Sequence, residues 1–214
     1  ATSFPGGCEL GLRPIDLHIK AFREMGVNVE EQHGFIRFDG RNMKPCDIHL
    51  SFPSVGATEN IMLAAMTVPG VTRIINPAKE PEIEDLQDFL NKIGGSVSGA
   101  GSGVIEIKGT FSCKDAEHRI IPDRIVTATY ISAAAVTGGE LQIKNAELSH
   151  LDAVASVLRE AGTIIEVKDK GIISVKGPER LRAVDVVRTL PYPGFPTDAQ
   201  SVISSVLSVA EGTS

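Results

Sequence analysis

The amino-acid sequence predicts an α/β (α+β) protein assembled from repeated βαβαββ units. Three observations carry this prediction. Helix-like segments of one type end in glycines at a constant spacing, a pair of short extended runs follows each of them, and a second type of helical segment lies between these groups. Internal repeats of this kind determine how each single motif in the sequence is interpreted.

Three amphipathic segments define the first type of helix. IDLHIKAFREMG ends in Gly26, IEDLQDFLNKIG ends in Gly94 and LDAVASVLREAG ends in Gly162, so consecutive glycines lie 68 residues apart. Their apolar positions superpose on one helical face. Each glycine suits the left-handed position just past a helix end. The superposed residues are Ile15, Ile83 and Leu151; Phe22, Leu90 and Leu158; and Met25, Ile93 and Ala161.

Two β-forming runs follow each of these helices. The second runs are GFIRFDG (34–40), GVIEIKG (103–109) and GIISVKG (171–177), whose alternation predicts half-buried strands. The first runs, VNVEEQ, SVSGAG and TIIEVK, are the predicted hairpin partners.

The second type of helix occupies the intervals 58–78, 127–146 and 199–214. The first two intervals read as helix, turn and strand, whereas the last stops where its strand is expected. The sequence is therefore expected to be a fragment of a longer repeat protein. A domain boundary is predicted near Ile121-Pro122-Asp123, because proline disfavours continuous helix, which divides the chain into 1–121 and 122–214.

Composition narrows the function classes. The formal charge of −6 disfavours a nucleic-acid partner. No apolar run reaches the roughly 18 residues that a membrane span needs, so a cytoplasmic protein is expected. The cysteines Cys8, Cys46 and Cys113 are odd in number and widely spaced, which fits neither a disulfide framework nor a zinc site.

Five motifs follow one another along the chain in a distinctive order. They are PGGCELGLRPIDLH (5–18), FPSVGATENIM (52–62), NPAKEPEIEDL (76–86), IPDRIVTAT (121–129) and PYPGFPTDAQ (191–200). In that order they resemble the motifs of UDP-N-acetylglucosamine enolpyruvyl transferases. The resemblance implies the inside-out α/β barrel architecture of that family, incomplete in this central fragment.

The family's reaction transfers the enolpyruvyl group of phosphoenolpyruvate to the 3-hydroxyl of UDP-N-acetylglucosamine and releases phosphate, the first committed step of peptidoglycan precursor synthesis. The resemblance thus implies two small-molecule substrates and no metal or cofactor. It assigns cysteine-loop and nucleotide-sugar contacts to 1–121 and the general-base aspartate to 122–214. Other family site segments have no counterpart in these 214 residues, so the fragment alone is expected to be inactive.

Cys8 lies in a loop flanked by glycines, and Arg13 follows five residues later. Such a loop can move, and a nearby guanidinium stabilises a thiolate or binds phosphate. On composition alone, a small apolar residue in a surface turn and a solvated arginine are the simpler interpretations. The resemblance implies instead that Cys8 is the catalytic thiol, alkylated by fosfomycin, and that Arg13 binds phosphoenolpyruvate.

The start of the first helix is the expected binding site for the uracil end of the nucleotide sugar. An acidic residue recurs here in all three repeats, and the helix dipole alone favours it. The uracil assignment therefore comes from the resemblance. The residues concerned are Pro14, Ile15, Asp16 and Leu17.

A second binding segment, Ser54, Val55 and Gly56, precedes a helix expected to begin near Thr58. Free amides at a helix start form an anion site, although Ser54 could equally be an N-terminal cap. The resemblance implies diphosphate binding here. Some relatives have a lysine where this chain has Phe52.

Thr197 and Asp198 follow the proline-rich PYPGFP segment, and Asp123 and Arg124 follow the predicted boundary. An N-terminal cap is the default interpretation of Asp198. The resemblance implies that Asp198 contacts the 3-hydroxyl as general base, which requires close geometry and a desolvated carboxylate. It also implies that Asp123 and Arg124 line the site.

Two other function classes remain open from the sequence. A non-catalytic repeat scaffold that binds nucleotide sugars would need none of the missing catalytic segments. An RNA-end cyclase with related βαβαββ units is disfavoured by the acidic charge and by the lack of its histidine motif. Adenylylation by ATP would identify the cyclase.

Overall fold

The computed structural model describes residues 1–5, 14–109, 112 and 114–214. The predicted site residues Cys8 and Arg13, together with Cys113, lie outside the described residues. The chain divides into two compact units, Ala1–Arg119 and Ile120–Ser214.

In its described residues, the first unit contains three helices and two sheets. A three-stranded antiparallel sheet has the order β1-β3-β2, and a four-stranded sheet has the order β4-β5-β7-β6, in which only β4 and β5 are parallel. The elements are β1 (Thr2–Ser3), α1 (Asp16–Glu24), β2 (Asn28–Gln32), β3 (Phe35–Asp39), β4 (Asp47–His49), α2 (Val55–Ala65), β5 (Gly70–Ile75), α3 (Pro81–Lys92), β6 (Ser96–Ser98) and β7 (Val104–Gly109).

The second unit contains three helices, two short 3-10 turns and an antiparallel sheet of order β8-β10-β9. The elements are α4 (Arg124–Thr137), β8 (Glu140–Lys144), a 3-10 turn (Leu148–Leu151), α5 (Asp152–Glu160), β9 (Ile164–Asp169), β10 (Ile172–Lys176), a second 3-10 turn (Thr197–Ala199) and α6 (Gln200–Leu207).

The predicted repeat is confirmed. The stretch from β4 to β7 is one complete βαβαββ unit, and the stretch from α4 to β10 repeats it without an opening strand among the described residues. All three predicted hairpins form, as β2-β3, β6-β7 and β9-β10. Gly26, Gly94 and Gly162 have φ angles of 87°, 106° and 107°, so each occupies the predicted left-handed position.

The starts of the two central helices were predicted too late. Helix α2 begins at Val55, not near Thr58, and α4 begins at Arg124, ahead of the predicted interval 127–146. The reason is capping: the Ser54 hydroxyl accepts a hydrogen bond from the Ala57 amide, and the Asp123 carboxylate accepts from two amides of the first turn of α4. These caps allow helix to form over residues with low intrinsic propensity.

Each unit has its own apolar core around a central helix. In the first, Ala57, Ile61 and Ala65 of α2 pack between the other helices and the four-stranded sheet. In the second unit, Ile131 and Ala135 of α4 occupy the corresponding core positions. Small residues on the central helix let the neighbouring elements approach closely.

A buried histidine anchors the irregular segment after β7 to helix α3. The side chain of His118 is only 9% exposed, and its Nε2 lies 2.9 Å from Asp85 Oδ1. Its Nδ1 lies 3.2 Å from Lys92 Nζ, and Phe89 packs edge-on against the ring. Asp85, Phe89 and Lys92 share one face of α3, so the segment is held along that face.

Replacing His118 with alanine is expected to lower the free energy of unfolding by about 1–3 kcal/mol, because Asp85 would be left largely buried without its partner. Urea denaturation followed by circular dichroism measures the change. Lys20→Ala is the control, since it removes an exposed ion pair to Glu24 and should change stability by less than about 0.5 kcal/mol. Equal losses in the two variants would contradict the anchoring role.

Candidate active site

A large cavity in the described part of the first unit lies where α1 and α2 begin. Its volume is about 950 Å³, within the range of small-molecule sites. Four predicted substrate-binding residues line it, namely Pro14, Ile15, Ser54 and Gly56, together with His18 and Asn60. Apolar side chains of α1 and the three-stranded sheet, including Phe22, Ile36 and Phe38, form the rest of the wall.

The start of α2 provides amide donors at the edge of this cavity. Ser54 is extended and its hydroxyl accepts from the Ala57 amide at 3.3 Å. The amides of Val55 and Gly56 have no acceptor inside the helix. The side chain of Val55 packs against the core, and Gly56 has none, so the backbone is what this turn presents. Such an arrangement favours an anionic group.

His18 and Asn60 join the predicted residues in the cavity. The Asn60 Nδ2 atom lies 2.8 Å from His18 Nδ1. Burial lowers the pKa of His18, and the nearby Asp16 carboxylate opposes that shift. A Cβ atom on Gly56 would lie 3.2 Å from His18 Cε1, so glycine leaves room for the ring.

Neither His18 nor Asn60 was singled out from the sequence. His18 stands inside the quoted RPIDLH motif, three residues after Ile15 and therefore on the same side of α1. This three-residue spacing is the signal in the sequence that could have identified His18 as a site residue. Asn60 lies 42 residues from His18, and no local pattern connects them.

Three predicted binding residues of the first unit do not line the large cavity. Leu17 packs against the core, as Val55 does, so a ligand contact by either residue would involve its backbone. Asp16 lines a neighbouring cavity of about 670 Å³ together with Lys20 and Arg23. Phe52, which precedes the start of α2, is 57% exposed.

The predicted residues of the second unit cluster around the start of α4. Asp123 caps the helix, accepting from the Ile125 and Val126 amides at 2.8 and 3.0 Å. Arg124 is buried, and it lines a cavity of about 10 Å³ together with Asp198. That volume suits about one water molecule, not a nucleotide sugar.

Asp198 departs from two expectations. It lies in the 3-10 turn Thr197–Ala199 and makes no capping hydrogen bond, so the default interpretation as an N-terminal cap was wrong. Both Thr197 and Asp198 are exposed, whereas a desolvated carboxylate was expected. An exposed position on a turn leaves the carboxylate accessible to a ligand.

Cys46 is the one free cysteine among the described residues. Burial raises the pKa of its thiol, and the carboxylates of Glu24 and Asp47 raise it further, against a smaller effect of Lys44. Since the thiolate is the nucleophile, Cys46 is suited to packing and not to reaction at neutral pH.

Alkylation of Cys46 by iodoacetamide at pH 7 is expected to be slower than that of a free peptide thiol, and to accelerate as the pH rises. Peptide mapping by mass spectrometry separates Cys46 from the other two cysteines. Unfolding in urea is the control, because it removes the burial and should restore the ordinary rate. Equal rates for folded and unfolded protein would contradict this account.

Two further features bear on the function class. In the described part of the chain, no helix combines the length and apolar character needed to cross a bilayer. Across the same residues, no three His, Cys, Asp or Glu side chains are grouped as metal ligands.

Comparison with known proteins finds relatives that match nearly the whole chain. The family model for EPSP synthase (3-phosphoshikimate 1-carboxyvinyltransferase) matches residues 1–214. UDP-N-acetylglucosamine 1-carboxyvinyltransferase 2 of Caldanaerobacter subterraneus is 53% identical over 99% of this chain and 51% of its own length. UDP-N-acetylglucosamine 1-carboxyvinyltransferase 1 of Symbiobacterium thermophilum is 49% identical over 99% and 48%. The chain spans about half the length of the curated relatives it matches.

Solved structures show the same fold. The enolpyruvyl transferase NikO from Streptomyces tendae has a TM-score of 0.78 and 21% identity, over 94% of this chain and 50% of its own. EPSP synthase from Acinetobacter baumannii has a TM-score of 0.61 and 22% identity, over 84% and 43%. The predicted fold class is confirmed, and within the described residues the sheets form no closed barrel.

Proposed function

This chain belongs to the EPSP synthase family, and from that premise we propose that it is part of an enzyme that transfers the enolpyruvyl group of phosphoenolpyruvate to the 3-hydroxyl of UDP-N-acetylglucosamine. The observation that carries the proposal is the identity of about half of all residues, over 99% of the chain, with proteins named for that substrate. The product would feed peptidoglycan precursor synthesis in the cytoplasm.

The nucleotide sugar would occupy the large cavity of the first unit. Its diphosphate would accept hydrogen bonds from the free amides at the start of α2, between Ser54 and Gly56, because a helix start favours anions. The uracil end would lie against residues 14–17. A cavity of about 950 Å³ with an apolar wall and a polar edge supports this placement.

The chemistry would run as addition followed by elimination. The Cys8 thiol donates a proton to the methylene carbon of phosphoenolpyruvate, and the 3-hydroxyl oxygen attacks the adjacent carbon while Asp198 takes the hydroxyl proton. A tetrahedral phospho-ketal results. The Cys8 thiolate then takes a proton back from the methyl group, which re-forms the double bond as the carbon–oxygen bond to phosphate breaks. Arg13 would bind the phosphate through a bidentate contact, and Arg124, with Asp123, would line the site.

A protein of the relatives' full length that contains this sequence tests the proposal. It should release phosphate from phosphoenolpyruvate only when UDP-N-acetylglucosamine is present, and the nucleotide sugar should gain the mass of an enolpyruvyl group. Release that depends on 3-phosphoshikimate instead would show that the acceptor assignment is wrong. We propose that the 214-residue chain alone is inactive, so phosphate release above background by that chain would contradict this part.

The role of Cys8 has its own test in the same protein. Fosfomycin treatment should add one adduct to the intact mass of the wild type and none to Cys8→Ser. Persistence of the adduct in the variant would show that another cysteine reacts. Cys46 is a disfavoured candidate, because burial raises the pKa of its thiol.

A further inference from the structure

We propose that Asn60 is a positioning residue, which holds the His18 ring with its proton on Nε2 so that His18 donates a hydrogen bond to an anionic oxygen of the ligand bound at the start of α2. The inference rests on the proposed function, because the ligand would be the diphosphate of the nucleotide sugar. It concerns a contact between α1 and α2 that none of the predicted site residues makes.

The tautomer follows from the hydrogen bond. Asn60 Nδ2 and His18 Nδ1 are 2.8 Å apart, and an amide NH2 group can only donate. His18 Nδ1 must therefore accept, which places the ring proton on Nε2. Burial lowers the pKa of His18 and so disfavours a second ring proton, in agreement with this assignment.

The position of the ring places the remaining donor beside the anion site. A Cβ atom on Gly56 would lie 3.2 Å from His18 Cε1 and 3.5 Å from Nε2, so this edge of the ring lies against the first turn of α2. Among the described residues, Nε2 has no hydrogen-bond partner, and His18, Gly56 and Ser54 all line the same cavity. A ligand oxygen bound to the first-turn amides would lie near Nε2.

Helix α2 places two residues beside the His18 ring. Gly56 and Asn60 are four residues apart on α2 and therefore lie on one face. The glycine provides space for the ring, and the asparagine fixes its rotation. A merely structural bridge between α1 and α2 would not depend on which ring nitrogen carries the proton, and this difference makes the proposal testable.

Nitrogen chemical shifts of the His18 ring test the tautomer without any ligand. In the wild-type chain, long-range proton–nitrogen spectra should show a protonated Nε2 and an unprotonated Nδ1. In Asn60→Asp the carboxylate can only accept, so the proton should move to Nδ1, or the ring should become doubly protonated. A wild-type ring protonated on Nδ1 would overturn the proposal.

Calorimetric titration with UDP-N-acetylglucosamine tests the donor. His18→Gln retains an N–H near the Nε2 position and should bind within about 3-fold of wild type, whereas His18→Ala should bind about 3- to 10-fold more weakly. Asn60→Ala should weaken binding by a similar factor in the wild-type background but not in the His18→Gln background. Asn28→Ala, an exposed change outside the cavity, is the control.

Failure of the two proposals can be distinguished. If the wild type binds the nucleotide sugar and Asn60→Ala binds equally well, the positioning role is wrong while the proposed function stands. If the wild type shows no binding at millimolar ligand, the proposed nucleotide-sugar site is wrong, and the donor role falls with it whatever the tautomer.

Discussion

Replacing Asp198 with asparagine is expected to lower kcat for enolpyruvyl transfer by about 10²- to 10⁴-fold in a protein of the relatives' length, the range typical of a lost general base. The amide has the same shape as the carboxylate but cannot take the proton of the attacking hydroxyl. Phosphate release at saturating concentrations of both substrates measures kcat. The KM for UDP-N-acetylglucosamine should change much less, because most of the nucleotide sugar would contact the first unit.

The position of Asp198 makes the control straightforward. Asp198 is exposed on a short 3-10 turn and makes no capping bond, so its replacement should leave the fold intact. Glu179→Gln removes a second exposed carboxylate of the same unit and should leave kcat unchanged. If Asp198→Asn also retained wild-type kcat, another group would have to be the base. If kcat falls as expected, the desolvation that a general base requires would arise in the substrate complex, in which bound ligand excludes water.

The features that the sequence revealed correctly are the ones encoded locally. Gly26, Gly94 and Gly162 could be identified because each must take a left-handed conformation at the end of an amphipathic helix. The hairpins could be identified because alternation of side chains is visible within six or seven residues. Repetition at 68 or 69 residues strengthened every one of these local signals.

Features that depend on distant contacts were missed. The hydrogen bond between His18 and Asn60 joins α1 to α2 across 42 residues of sequence, and no local pattern marks either residue. The start of α2 was predicted late because Gly56 is a poor helix former, and the Ser54 cap outweighs its low propensity. Exposure of Asp198 also depends on tertiary structure. The family resemblance named the candidate site residues, and the structure shows the surroundings of those that it describes.

A second repeated glycine position is expected to be among the most sensitive in the molecule. Gly109 ends β7 and Gly177 follows β10, again 68 residues apart. A Cβ atom on Gly109 would lie 1.8 Å from Val68 O and 2.4 Å from Ala65 O, and one on Gly177 would lie 2.2 Å from Ala134 O. The backbone at the C-terminal end of each central helix, α2 or α4, thus packs directly on the end of a strand.

Gly109→Ala and Gly177→Ala are therefore each expected to lower the free energy of unfolding by about 3 kcal/mol or more, the range of severe overpacking. Gly103→Ala is the matched control, because a Cβ atom there meets nothing within 4 Å, and it should be neutral or slightly stabilising. Hydrogen exchange with peptide-level readout measures the loss around each site. Backbone carbonyls cannot rotate away as a flexible side chain can, so relief requires the helix end to separate from the strand. Wild-type protection from hydrogen exchange in either variant would show that separating the helix end from the strand costs little free energy. The close packing of helix and strand would then not be what stabilises the repeat unit.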